Sequence, residues 1–162
     1  MNTKEEFCEN IRLCEKAMYH LAFSLVGNDA DAGDVISESI YRAYKNLNTL
    51  KQKSAFKAWI LQIVHNTAVE TIRKNSKIIP LEEFQSTTIY NEECDITTRI
   101  TVQEAIKNLK QPYQTVIILY YYENLSIIDI SRITNTSIVS VKKQLSRARK
   151  MLLEVLKEDF EK

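Results

Sequence analysis

Residues Leu125 to Leu152 read LSIIDISRITNTSIVSVKKQLSRARKML, and this stretch decides the fold. Ser126, followed three residues later by Asp129, has the spacing of a capping box and marks a helix start. Ile127, Ile130 and Ile133 then form an apolar stripe. The stripe stops at Thr134-Asn135-Thr136, where Asn135 is suited to the left-handed conformation that ends a helix. Ser137 is a good N-cap for the next helix. Beyond it Ile138, Val141, Leu145, Ala148 and Leu152 recur at helical spacing and predict one buried face. Lys143, Arg147 and Lys150 project from the opposite side, flanked by Lys142 and Arg149, and no acidic residue intervenes between Asp129 and Glu154. Two short helices joined by a tight turn, the second basic on its outer side, predict a helix-turn-helix that reads DNA. Taken alone, the same face also suits a solvated helix pair of an ordinary all-α protein.

The rest of the chain narrows the choice. It has 162 residues, 44% of them hydrophobic, enough for one domain or two small ones. With two Gly, two Pro and no alternating strand-like run, the expected class is all-α. Twenty-two basic residues face twenty-one acidic ones, for a net charge of +1. So even a balance gains little from sequence-independent attraction to phosphates, which points to local DNA contacts or a partner's help. Cys8, Cys14 and Cys94 form no CxxC pair. On a straight helix the six-residue steps from Cys8 to Cys14 to His20 each turn the side chain by about 240°, which argues against a shared zinc ion. Structural thiols in a reducing compartment fit better. No signal peptide or membrane-spanning run is visible, so a cytoplasmic protein without metal or cofactor is expected. No nucleophile–base pair or phosphate loop is present, so catalysis is not expected.

Two helical blocks flank a segment of different character. In the first, residues 1–77, helix one carries Phe7, Ile11, Leu13, Met18, Leu21, Ala22 and Leu25 and stops near Gly27-Asn28. Helix two starts after an Asn28 or Asp29 cap and buries Val35, Ile36, Ile40, Ala43 and Leu47. Helix three opens at Ser54 and runs through Phe56, Trp59, Ile60, Ile63, Val64 and Ile72 to Arg73-Lys74. Residues 78–98 lose periodicity, contain Pro80, and carry Glu82, Glu83, Glu92, Glu93 and Asp95 without Lys or Arg, which reads as an extended acidic linker. The last block, 99–162, adds a helix through Val102, Ala105, Ile106 and Leu109, and another begun at Pro112 that continues into Tyr120, Tyr121 and Tyr122. The tyrosines are expected to supply packing and a polar rim.

With both blocks in view the chain resembles the extracytoplasmic-function class of sigma-70 factors of bacterial RNA polymerase. MYHLAFSLVGNDADAGDVISESIYRAYKNL (Met18 to Leu47) has the layout of that family's first two motifs, and FKAWILQIVHNTAVETIRK (Phe56 to Lys74) that of its Trp-containing helix. LKQPYQTVIILYYYENLS and SVKKQLSRARKML look like its promoter-reading domain. Ser37, Ser131, Asn135 and Gln144 stand where family members often carry Gln, Ala, Gly and Arg.

The resemblance implies roles residue by residue. Asp31, Asp34, Glu38 and Arg42 would dock on the clamp helices of the polymerase's largest subunit, and the second domain on the flap of the second largest. Arg42, continuing the same row, could equally make an internal ion pair worth tenths of a kcal/mol. Lys51, Lys53, Lys57, Asn66, Arg73 and Lys74 would serve the −10 element during melting, where unstacked bases need polar and cationic partners. Phe56 and Trp59 are read as core rather than as stacking platforms. Lys142, Lys143, Ser146 and Arg147 would face bases of the −35 element, with Arg149 and Lys150 on phosphates. The resemblance further implies an anti-sigma factor, sometimes membrane-anchored. Rival readings are a stand-alone helix-turn-helix regulator, which would need its own DNA affinity, and a helical adaptor that binds proteins only.

Overall fold

In the computed structural model, residues 4–78 and 101–160 are described, and every regular element among them is helical. Most of the 78–98 linker read from the sequence lies outside the described residues.

The first unit is a three-helix assembly. Helix α1 (Lys4–Val26) buries Phe7, Cys14, Ala17, Met18, Leu21 and Ala22 along one face. It ends because Gly27 adopts φ +79°, a conformation that only glycine takes without cost, and its N–H returns to the Phe23 carbonyl at 2.8 Å. Asn28 then caps α2 (Asp29–Lys45), its side-chain oxygen accepting from the Asp31 N–H at 2.8 Å. Two short 3₁₀ turns, Leu47–Thr49 and Lys53–Ala55, lead into α3 (Phe56–Ile78), which therefore starts two residues later and ends four residues later than periodicity suggested. Phe56, Ile60, Leu61, Val64 and Ala68 are buried on α3, facing α1 and α2. Met18, Leu21 and Ile60 lose all contact with water, each burial contributing about 1.5–3 kcal/mol. Leu13, placed with the apolar face by sequence, is 83% exposed, because it falls outside the stripe formed by Phe7, Cys14, Ala17, Met18 and Leu21.

The second unit begins at α4 (Val102–Lys107), opened by a capping box in which Thr101 and Glu104 bond reciprocally. Helix α5 (Tyr113–Ile117), with Pro112 at its N-cap, passes into one π-helical turn over Ile118–Tyr122. Helices α6 (Ile127–Thr134) and α7 (Ile138–Phe160) complete it. Ile130 and Ile133 on α6 and Val141, Leu145 and Ala148 on α7 are buried; α7 packs on α4, α5 and α6, and α6 also on α3. Ile138, assigned to that buried face from its spacing, is 42% exposed in the first turn of α7.

The units are not independent beads. Helix α6 packs along α3 and α5 reaches α1, so the buried apolar residues of both halves form one continuous cluster. On the α1 side the contact stays open, leaving a cleft of about 590 Å³ lined by Tyr19, His20, Phe23, Lys107, Ile118 and Tyr122 among others.

Candidate nucleic-acid and partner interfaces

The helix-turn-helix is built as its sequence dictates. Ser126 Oγ accepts from the Asp129 N–H at 3.1 Å and donates to the Asp129 carboxylate at 2.7 Å. Asn135 adopts φ 53°, ψ 39°, the left-handed conformation that turns the chain between α6 and α7. Ser131 Oγ spans the turn to the Thr136 carbonyl at 2.5 Å, and Ser137 Oγ caps α7 by accepting from the Ser140 N–H at 3.1 Å. These local bonds replace helix-end hydrogen bonds and fix the angle between the two helices.

Burial of Val141, Leu145 and Ala148 on the side of α7 packed against the rest of the unit leaves its opposite side in solvent, with Lys142, Lys143, Ser146, Arg147 and Lys150 all exposed. At about 100° per residue they spread over a continuous strip roughly two and a half turns long. Arg149, also exposed and within about 20° of Lys142 at the edge of the strip, is engaged by its neighbours. Its Nε donates to the Tyr121 hydroxyl at 2.7 Å, and its guanidinium stands over the rings of Tyr120 and Tyr121. The tyrosine run is thus partly packing and partly a rim, as read from sequence, and it anchors a cation expected on phosphate.

The acidic face of α2 is partly engaged internally. Asp34 and Glu38 are exposed, but the Asp31 carboxylate accepts from Asn28 Nδ2 at 2.9 Å. Arg42 bridges Glu38 at 2.7 Å and Glu70 of α3 at 2.8 Å, and these carboxylates, Glu38 first, hold the guanidinium still more firmly protonated. Pairs this exposed contribute tenths of a kcal/mol.

The cations expected at the −10 element fall into two groups. Lys51, Arg73 and Lys74 are exposed. Lys53 pairs with Glu6, and Lys57 Nζ pairs with Glu123 of the second unit at 3.0 Å. Asn66 faces the helix-turn-helix too, its side-chain oxygen accepting from Asn135 Nδ2 at 2.9 Å. One turn earlier, Gln62 Nε2 donates to the Arg132 carbonyl at 3.0 Å. The structure therefore brings Lys57 and Asn66 together with the second unit, not with Arg73 and Lys74. Phe56 is buried, and half-buried Trp59 donates from Nε1 to Thr49 Oγ1 at 3.2 Å, consistent with packing roles.

Sequence reasoning missed the partner of those residues. The Glu123 carboxylate is 8% exposed, held by Lys57 and by His20 Nδ1 at 3.3 Å. Its only hint in the sequence is an acidic residue directly after an apolar and aromatic helix.

Among the described residues no group of His, Cys, Asp and Glu side chains is placed to hold a metal ion, and no helix is long and apolar enough to cross a membrane.

Comparison with known proteins gives concordant matches along both units. Residues 11–78 match the family model for sigma-70 region 2, and residues 99–152 that for sigma-70 region 4. The chain is 33% identical over 143 residues to the RNA polymerase sigma factor SigV of Bacillus subtilis strain 168, covering 88% of this chain and 86% of that protein. It is 26% identical over 170 residues to the ECF sigma factor SigW of the same organism, covering 96% and 91%. Among solved structures, the sigma factor RpoE in complex with the anti-sigma factor NepR from Bartonella quintana aligns with a TM-score of 0.73 at 24% identity, over 94% of this chain and 98% of that one. CnrH in complex with the cytosolic domain of CnrY aligns with a TM-score of 0.67 at 18% identity, over 98% and 92%.

Proposed function

Because the chain belongs to the sigma-70 family, in its extracytoplasmic-function class, we propose the following division of labour among its residues. The protein is an alternative sigma factor that binds bacterial core RNA polymerase and directs it to promoters through −35 and −10 elements, promoting local melting. Residues 1–77 act as region 2, 99–162 as region 4, and 78–98 as the acidic connection between them. The observation that carries the assignment is the continuous exposed strip Lys142, Lys143, Ser146, Arg147 and Lys150 on the second helix of the helix-turn-helix.

In this reading Lys142, Lys143, Ser146 and Arg147 address base edges, where a well-formed bidentate pair contributes about 1–3 kcal/mol of discrimination. Lys150 contacts phosphate, and Arg149 reaches the backbone only by leaving Tyr121. Lys51, Lys53, Lys57, Asn66, Arg73 and Lys74 attend the −10 element. Asp31, Asp34, Glu38 and Arg42 meet the clamp helices of the largest subunit, and region 4 meets the flap of the second largest. Bond making stays with the polymerase, so the protein itself is not an enzyme, and it works in the cytoplasm. An anti-sigma factor restrains it. The support for that partner is the likeness in fold to RpoE bound to NepR and CnrH bound to CnrY.

The test is in vitro transcription by purified core polymerase on pooled genomic fragments, with and without the protein. Discrete new start sites that vanish with Lys143→Glu plus Arg147→Glu are expected. No initiation, from folded protein and a core enzyme active with another sigma factor, would overturn the reading. Tight DNA binding without polymerase would instead favour a stand-alone regulator.

A further inference from the structure

The geometry points to Val139 as a reader of thymine: we propose that its methyl groups contact the C5-methyl group of one thymine in the −35 element. The proposal rests on the assignment of α7 to that element.

Val139 is 61% exposed in the first turn of α7, while Val141 and Leu145 on the same helix are 0% and 1% exposed. It is no part of the buried cluster or of the partly buried residues packed on it. Nor does local stability account for it, because β-branching slightly disfavours a helix. Its angular position is informative. At 100° per residue, Val139 projects within about 20° of Ser146 and Lys150 and about 40° of Lys143. It therefore stands near the middle of the cationic strip, as the exposed apolar side chain at its leading end, with Leu153 the exposed apolar residue beyond Lys150 at the far end.

In a helix-turn-helix the first turn of the second helix approaches base edges most closely. Donors such as Lys and Arg select guanine O6 and N7, but they cannot sense the methyl group by which thymine is distinguished in the major groove. An apolar side chain can, by removing that methyl from water. Isolated exposed valines are common on protein surfaces. This one lies on the strip itself, one turn before Lys142 and Lys143, where DNA would cover it.

The experiment uses holoenzyme assembled with the full chain and a promoter it initiates from. Each thymine of the −35 element, on either strand, is replaced singly by deoxyuridine, which removes only the methyl group. At one position the substitution is expected to weaken promoter binding by the wild type roughly fourfold, the value of one buried methyl-sized group. Val139→Ala should bind the unmodified promoter with a similar loss and be indifferent to deoxyuridine there. Val139→Ile should retain the sensitivity. Circular dichroism checks that the helices persist. Equal deoxyuridine sensitivity in wild type and Val139→Ala, no sensitivity at any position, or a −35 element without thymine would each overturn the proposal. Lys143→Glu plus Arg147→Glu separates the two levels: if initiation persists with that pair, the α7 assignment fails; if it is lost while deoxyuridine is neutral, only the Val139 proposal fails.

Discussion

Lys57 on α3 donates from Nζ to both the carboxylate of Glu123 at 3.0 Å and its main-chain carbonyl at 2.9 Å, fastening the two helical units to each other. His20 of α1 approaches the other carboxylate oxygen at 3.3 Å. The same contact surface takes in Asn66, bonded to Asn135 in the turn of the helix-turn-helix. Two of the residues assigned to the −10 element are thus occupied by the unit assigned to the −35 element.

Glu123→Gln keeps the shape and removes the charge, so it should weaken the contact by about 1–2 kcal/mol, discounted because Lys57 is 40% exposed. Fluorescence energy transfer between dyes on α2 and the end of α7 should fall in the variant. If Lys57 and Asn66 serve the −10 element as proposed, parting the units frees them, and initiation at limiting protein concentration should rise. Unchanged energy transfer would show that apolar packing of α6 on α3 holds the contact without the ion pair.

Along α7 the two kinds of cation should separate in binding assays. Lys150→Ala should weaken holoenzyme binding on all promoters and lower the salt dependence by about one unit of slope. Arg147→Ala should cost about 1–3 kcal/mol on the preferred promoter and relax the preference at one base pair. Titrations at several salt concentrations on a promoter library distinguish them.

Asn135 sits at φ 53°, a conformation that Asn tolerates and most residues do not. Asn135→Ala should destabilise the chain by about 1–2 kcal/mol in urea unfolding. Asn135→Gly should keep the turn, losing only the bond to Asn66.

Burial lowers the pKa of His65, the adjacent Asn66 side chain only partly offsetting it, and Nδ1 of the ring has no hydrogen-bond partner. With the folded-state value below the ordinary 6.5, the unfolded chain binds more protons as pH falls through that window. Stability should therefore drop as pH is lowered from above about 6.5, until the folded-state ring also protonates. Thermal melts at pH 7.5 and 5.5 should show it, and His65→Gln should flatten the difference.

Cys8 is exposed, whereas Cys14 is buried and its thiol pKa is raised, chiefly by that burial. Iodoacetamide on native protein should modify Cys8 rapidly and Cys14 only after unfolding. Fast labelling at both would mean that α1 opens away from its neighbours.

Much of the local structure was legible because local rules govern it. Ser126, Asn135 and Ser137 cap and turn the helix-turn-helix from their own side chains, so their types and spacing were enough. The same holds for Gly27 and Asn28 between α1 and α2. Hydrophobicity misled at Leu13, which lies off the buried stripe of its own helix, and spacing misled at Ile138, which lies on the stripe yet is exposed, because periodicity locates a stripe but not how much of it is covered. The basic strip of α7 was visible, yet Val139 within it was not, since an apolar residue draws notice only once it is found in solvent.

By itself the sequence determined the all-α class, the two helical units, their caps and turns, and the cationic face of α7, because each arises from side chains a few residues apart. Only the tertiary structure decided which charges are committed elsewhere. Arg42 bridges α2 to α3 through Glu70, 28 positions away, and Asn135 reaches Asn66 across 69. Lys57 finds Glu123 across 66 positions, in a site where the carboxylate is nearly dry. Such pairings depend on how helices pack, and packing is a property of the whole buried surface rather than of any local run.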